Sequence, residues 1–261
     1  MSLADAYSAT GMAWQRGPGR IYDRLAETVV AASPVPVRGR LVLDLGTGTG
    51  AAARALQRAG ADVIAIDNAV GMLLPEAARR PPGVTGEALA LPFAAGSFGA
   101  VVGSFCLNHL TDPAAGLAEA ARVTDSGGAV VVSTYAEDDD HPVKRAVEQA
   151  ATEAGWTAPP WYQQLKAETM PRLATPDRMA AVASAVPSLV AARVTRQEVP
   201  FGDLTPSELV DWRLGMAQQA LFVAGLDPPD RTALVEAALD RLGPNPPPLV
   251  RRILILTALV A

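Results

Sequence analysis

Cysteine is almost absent from this 261-residue chain, and the single Cys106 excludes an intrachain disulfide framework and any thiolate cluster for zinc or iron–sulfur. It reads as a small core residue. Histidine is nearly as scarce, represented by His109 and His141 alone, so few side chains are available for proton transfer near neutral pH. No apolar run approaches the roughly 20 residues that a membrane-spanning helix requires, because Ala, Gly and Arg keep interrupting it, and no membrane partner is expected. The opening MSLADAYSAT lacks a basic stretch followed by an apolar segment, which makes the cytoplasm the expected location. There is no excess of positive charge. The net charge is −5 and the arginines are scattered, which reads against a nucleic-acid groove and for a small-molecule partner. The sequence does not specify an oligomeric state.

What is present is a chain of 49% hydrophobic residues, long enough for one generous α/β domain or a core with insertions. From Arg40, short β-branched runs alternate with Ala-rich helical stretches, the pattern of βαβ units and a largely parallel sheet. Strands are expected at Arg40 to Leu45, Asp62 to Asp67, Val84 to Glu87, Phe98 to Phe105 and Gly128 to Tyr135. Two more are expected at Leu189 to Phe201 and Val250 to Ala261, for a seven-stranded sheet. Residues 1–38 read as an N-terminal helical cap, 40–135 as the ligand-binding core, and 138–187 and 206–242 as helical lid insertions on a single domain.

The strongest signal is LVLDLGTGTG, a buried strand running into Gly46, Gly48 and Gly50 and then a helix beginning near Ala51. Glycines let the backbone turn sharply and approach a ligand that side chains would obstruct. Taken alone this is ambiguous, since Gly46, Gly48 and Ala51 also satisfy the looser dinucleotide fingerprint. Charge separates the readings. A dinucleotide places pyrophosphate at this helix start, whereas Asp44, two residues before Gly46, repels an anion and attracts a cationic ligand. Asp67 closes the second strand, where a carboxylate can accept hydrogen bonds from both hydroxyls of a ribose. In GEALALPF, Glu87 can accept from an adenine amino group while Ala88 and Leu89 pack against the ring.

Together DLGTGTG, the Asp67 strand end, GEALALPF, SFGAVVGSFCLNHL and RVTDSGG resemble class I S-adenosylmethionine-dependent methyltransferases, in particular those similar to ubiquinone- and menaquinone-pathway enzymes. The resemblance covers about residues 40–135 and five ordered motifs, which is far more specific than one glycine loop. It implies a doubly wound, Rossmann-like α/β sheet of order 3-2-1-4-5-7-6 with the seventh strand antiparallel. It also implies S-adenosyl-L-methionine as cofactor, a ligand with a sulfonium and an ammonium. The positions matched to its binding are Asp44, Gly46, Thr47, Gly48, Gly50, Asp67, Asn68, Met72, Glu87, Ala88, Leu89, Ser104 and His109. The chain departs from the family at Gly99, where an aspartate is usual, at Glu87 in place of Asp, and at Thr124 and Ser126 in RVTDSGG.

Methyl transfer is an in-line displacement, so such a protein mainly positions a nucleophile and excludes water. An alcohol or phenol acceptor must lose a proton, and His109 and His141 are the candidate bases. Helix-start or packing roles are the competing readings for both. Asp138, Asp139, Asp140 and His141 form an acidic loop that reads as solvated, with magnesium the less favoured alternative. Trp156, Trp161 and Tyr162, with Tyr7, Trp14, Trp212, Met216 and Phe222, either line an apolar acceptor pocket or pack a lid; Trp212 and Met216 share a helical i, i+4 face. The function expected is methylation of a small, largely apolar metabolite. A cyclase that keeps the same cofactor site, or a non-enzymatic binding module, remains as the alternative.

Overall fold

The computed structural model describes residues 2–75, 77, 81–202 and 204–261. A seven-stranded sheet runs through it, built from β1 (Leu41–Leu45), β2 (Asp62–Asp67), β3 (Gly83–Thr85), β4 (Phe98–Ser104), β5 (Thr124–Tyr135), β6 (Leu189–Phe201) and β7 (Leu249–Val260). The order is β3-β2-β1-β4-β5-β7-β6. Pairs among β1 to β5 are parallel, and β7 runs antiparallel to both β5 and β6. This is the doubly wound sheet that the resemblance implied.

Helices α1 (Leu3–Ser8), α2 (Gly11–Arg16) and α3 (Gly19–Ala31) precede the sheet, and α4 (Ala51–Arg58), α5 (Val70–Leu73) and α6 (Pro113–Val123) connect its parallel strands. Between β5 and β6 lie α7 (Pro142–Glu153), α8 (Pro160–Gln164) and α9 (Pro176–Ser184); between β6 and β7 lie α10 (Pro206–Leu214), α11 (Ala217–Gly225) and α12 (Pro228–Leu242). Many of the prolines are explained by helix starts. Asp112, His141, Thr175, Thr205 and Asp227 each cap a helix through the side chain, and each is followed by proline at the first helical position, where no donor is lost.

The central strands are apolar on both faces, as a doubly covered sheet requires. Val42, Ala100, Val102, Val131, Ile253 and Ile255 face a core shared with α3, α4, α7, α10 and α12, while Leu43, Val101, Val130, Val132, Leu254 and Leu256 face α6 and α9. Each such valine, leucine or isoleucine contributes about 1.5–3 kcal/mol by leaving water. The strand expected from Gly128 begins earlier, at Thr124, because the β4–β5 register shifts between Phe98↔Thr124 and Ala100↔Ala129. Gly128 sits inside that irregularity with no room for a side chain, since a Cβ there would lie 2.8 Å from the Gly99 carbonyl oxygen.

The two stretches expected as lids divide. Helix α7 buries Val143, Ala146, Val147, Ala150 and Ala151, and α12 buries Leu234 and Ala238, so both are core-layer helices. What overhangs the strand ends is α8 and its continuation through a π-helical turn, Leu165–Thr169, and a 3-10 turn, Met170–Leu173. The N-terminal helices close the same edge. A Cβ on Gly11 would stand 2.2 Å from the Gly71 carbonyl oxygen, and one on Gly71 1.8 Å from that of Ser8, so α5 meets this cap backbone against backbone.

Candidate functional site

At the carboxyl ends of β1, β2 and β4 the sheet opens into a pocket, the usual place for a ligand in an open α/β sheet. Leaving β1, the Gly46 and Thr47 amides both donate to the Ile66 carbonyl, at 2.9 and 3.0 Å, which turns the loop across β2. Gly46 has φ +68°, and a Cβ there would meet the Cys106 Sγ at 2.5 Å. Cys106 is therefore the back wall of the glycine loop. Gly50, with φ 88°, is the N-cap of α4 and does not line the pocket; its part is conformational.

Asp44 is buried at the floor of this loop. Its Oδ2 accepts from the Thr47 hydroxyl at 2.6 Å, while Oδ1 is enclosed without a hydrogen-bond partner. Burial pushes the carboxyl up to about 7, against the hydrogen bonds from Thr47 and the Ala53 amide that favour ionisation. A buried, half-satisfied carboxylate is what a cationic ligand would complete.

Asp67 accepts from the Gly48 amide at 2.7 Å and the Ala69 amide at 2.9 Å. Burial raises its pKa in spite of these bonds. Asn68 donates to Glu87 Oε2 at 3.1 Å, so the third acidic residue reaches the pocket rim already tied to the end of β2. Thr47, Met72, Ala88 and Ser104 line the same pocket. Leu89 does not: the turn joining Glu87 to Ala90 leaves its side chain 39% exposed and directed to α6, about where a Cβ on Gly116 would touch it.

The two histidines part company. His109 ends a 3-10 turn after β4 and lines the pocket, with its ring edge to Tyr7 at 5.4 Å and its Nδ1 enclosed and unpartnered. Burial lowers its pKa to about 4, which leaves it neutral at pH 7. His141 is buried outside the pocket. Its Nδ1 accepts from the Val143 amide at 3.2 Å and its Nε2 lies 2.8 Å from the Pro247 carbonyl, so both nitrogens are spent on capping α7 and holding the turn before β7. That geometry removes it from the candidate bases.

A family model described as a methyltransferase domain matches residues 43–132, from β1 through most of β5. That segment, about a third of the chain, is similar to a methyltransferase domain. Demethylmenaquinone methyltransferase of Renibacterium salmoninarum is 38% identical over 144 residues, covering 54% of this chain and 59% of the relative. The enzyme of that name from Mycolicibacterium vanbaalenii is 41% identical over 133 residues, covering 51% and 57%. The chain thus spans less than two thirds of the curated relatives it matches. Among solved structures, phosphoethanolamine N-methyltransferase 2 of Haemonchus contortus has a TM-score of 0.60 at 17% identity, covering 97% of this chain and 57% of that one. A putative methyltransferase from an antibiotic biosynthesis pathway of Anabaena variabilis has a TM-score of 0.61 at 15% identity, covering 89% and 96%. Both share the fold.

Beside the glycine-loop pocket lies a second chamber of about 540 Å³, and Tyr7, Tyr22, Phe105 and His109 wall both. Phe105 holds φ 58° where β4 ends, rare for a non-glycine residue, with its amide donating to Ser133; its ring stacks on Tyr135 at 4.5 Å. Trp161, Tyr162, Trp212 and Met216 line the chamber, whereas Trp156 is core, donating to the Gln218 carbonyl at 2.9 Å. Trp212 and Met216 do not share a helix: α10 ends at Leu214 and Met216 is the N-cap of α11. The acidic loop is neutralised residue by residue, Asp138 by Arg196, Asp139 by Arg251 and Lys144, and Asp140 by Arg145. Leu3, Ala4 and Tyr22 also line the pocket without a sequence signal, because no local motif marks a wall assembled from a separate N-terminal segment; Phe105 and Leu110 line it from within SFGAVVGSFCLNHL, where apolar side chains give no sign of facing a ligand rather than the core.

Proposed function

We propose that this chain is an S-adenosylmethionine-dependent methyltransferase acting on a small, flat, largely apolar acceptor. The observation that carries the reading is the buried Asp44 carboxylate, whose Oδ1 has no partner within the glycine-loop pocket. A pyrophosphate ligand would be repelled there; a ligand with an ammonium and a sulfonium gains from the same charge. The remaining residues fit that cofactor: Asp67 for the ribose hydroxyls, Glu87 and Ala88 for the adenine, and Gly46 and Gly48 for close backbone approach, with Thr47, Asn68, Met72, Ser104 and His109 completing the walls. When bound, the cofactor supplies an activated methyl group.

The chain's own contribution is positioning and desolvation. Helices α1 and α2 place Tyr7 and Trp14 over the pocket, and α8 with the turns after it covers the chamber, so an acceptor spanning both cavities is shielded from water. His109 lies on the wall the two cavities share and is neutral at pH 7, so its ring can accept a hydrogen bond from an acceptor hydroxyl and withdraw the proton as the oxygen attacks. The demethylmenaquinone methyltransferase relatives support a quinone-like ring as the acceptor class, and the aromatic chamber agrees with it. The test is calorimetric titration of the purified protein with S-adenosylhomocysteine and with a nicotinamide dinucleotide, followed by mass spectrometry after incubation with labelled S-adenosylmethionine and cell extract. Binding of the first ligand only, with a labelled small product, is expected; nicotinamide binding in its place would overturn the reading.

A further inference from the structure

The floor of the second chamber is not apolar. Arg251, 3% exposed, is held by Asp139 through Nη2–Oδ2 at 2.7 Å and Nε–Oδ1 at 3.0 Å, and lies over the Tyr135 and Trp212 rings at 4.0 and 4.7 Å. Its Nη1 is enclosed with no acceptor. Arg213, at the end of α10 and 7% exposed, has an enclosed Nε without an acceptor and, among the described residues, no carboxylate in ion-pair range. Lys144 shares Asp139 at 2.9 Å. Three cations, Lys144, Arg213 and Arg251, therefore gather around the Asp139 carboxylate in the chamber lining. The same lining carries the exposed Glu137 and Asp140 and the half-buried Glu148, with the exposed Arg145, Lys166 and Arg178.

Burying a guanidinium without a counter-ion is costly, and such a group completed by an anion gains a charge-assisted bond in low dielectric. We propose that the chamber takes an acceptor bearing a carboxylate on a flat apolar body, with Arg213 and the free Nη1 of Arg251 as its anchors. The planar guanidinium fork matches a carboxylate, and the aromatic walls of Tyr22, Phe105, Trp161 and Trp212 match the body. The anchored carboxylate fixes which atom of the acceptor lies at the wall shared with the glycine-loop pocket. This specificity rests on the methyl-transfer reading only for the use made of the bound molecule.

The experiment is calorimetric titration of the wild-type protein with 1-naphthoate and with 1-naphthamide, its neutral counterpart of the same shape, with and without S-adenosylhomocysteine. Naphthoate is expected to bind at least about tenfold more tightly than the amide, and Arg213→Gln to lose about tenfold for naphthoate while binding naphthamide and S-adenosylhomocysteine as before. Naphthoate that fails to bind, binds no better than the amide, or keeps its full affinity in Arg213→Gln overturns the proposal. The wild-type pair of ligands decides the matter if that variant does not fold. Failure of S-adenosylhomocysteine to bind would instead strike the methyltransferase reading, and the titrations without it keep the two results separate.

Discussion

The Asp67 carboxylate accepts the Gly48 amide at 2.7 Å across a separation of 19 residues, tying the end of β2 to the middle of the glycine loop. One side chain thereby shapes the loop and presents its remaining lone pairs to the pocket. Asp67→Ala is expected to weaken S-adenosylhomocysteine binding by about 1.5–3 kcal/mol, roughly 10- to 150-fold, with the sheet intact by circular dichroism. Unchanged affinity in calorimetry would remove Asp67 from the site.

Asp44 makes cofactor binding depend on pH. Its folded pKa of about 7 lies above the ordinary 3.8, so the empty native state retains a proton that the unfolded chain releases, and stability falls as pH rises across that window. A cationic ligand favours the ionised form, so S-adenosylmethionine should bind more weakly at about pH 6 than at about pH 8. Asp44→Asn should abolish that slope, bind the cofactor at least about tenfold less tightly, and melt no lower than the wild type when empty at about pH 8. A wild-type affinity constant over this range would contradict the assignment.

Gly46→Ala should disrupt the loop, since its Cβ would lie 2.5 Å from the Cys106 Sγ and 2.7 Å from the Cys106 Cβ. Adding Cys106→Gly removes both atoms and should recover most of the stability, leaving roughly 1 kcal/mol for the left-handed backbone of a non-glycine residue. Equal melting temperatures for the single and double variants would show that the clash relaxes by another route.

His109→Gln is expected to lower kcat by about 10- to 100-fold for a hydroxyl acceptor, with S-adenosylhomocysteine affinity within about twofold of the wild type. Because burial holds the ring pKa near 4, the wild-type rate should show no inflection from His109 between about pH 5 and 8. A kcat that survives the substitution would leave His109 as wall only.

Asp139 is held at about 2: burial alone would raise it, but the charge of Arg251, its hydrogen bonds and Lys144 outweigh that effect. Since the folded value lies below the ordinary 3.8, this contribution to stability is present above about pH 4 and is lost as pH falls through about 2. Asp139→Asn leaves Arg251 buried and uncompensated, and should cost about 3–5 kcal/mol in denaturant unfolding at pH 7. The difference from the wild type should shrink on acidification; a constant difference down to about pH 2 would show that the carboxylate charge is not its source.

The parallel half of the molecule was legible because its signals are local. A strand buried on both faces reads as a continuous apolar run, and glycines at Gly46 and Gly48 announce a turn that side chains would block. The acidic residues at Asp44, Asp67 and Glu87 follow at intervals set by the βαβ unit, and the structure brings all three to one pocket. Leu89 and His141 show where such reading fails. Each lies within a few residues of the site in sequence, but a tight turn sends one toward α6 and a capping geometry takes both nitrogens of the other.

Local patterning was enough for the sheet, the glycine loop and the order of carboxylates along it, because each depends on residues close in the chain and on backbone geometry that few alternatives satisfy. Long-range packing is what leaves Asp44 an unpartnered oxygen, sets Cys106 behind the loop, and turns His109 to the pocket while His141 stays outside it. It alone joined Arg213 to Arg251 and Asp139 to Arg251, pairs made by strands and helices that meet through long connections. Charge burial is a property of the assembled surroundings, and no stretch of chain carries it alone.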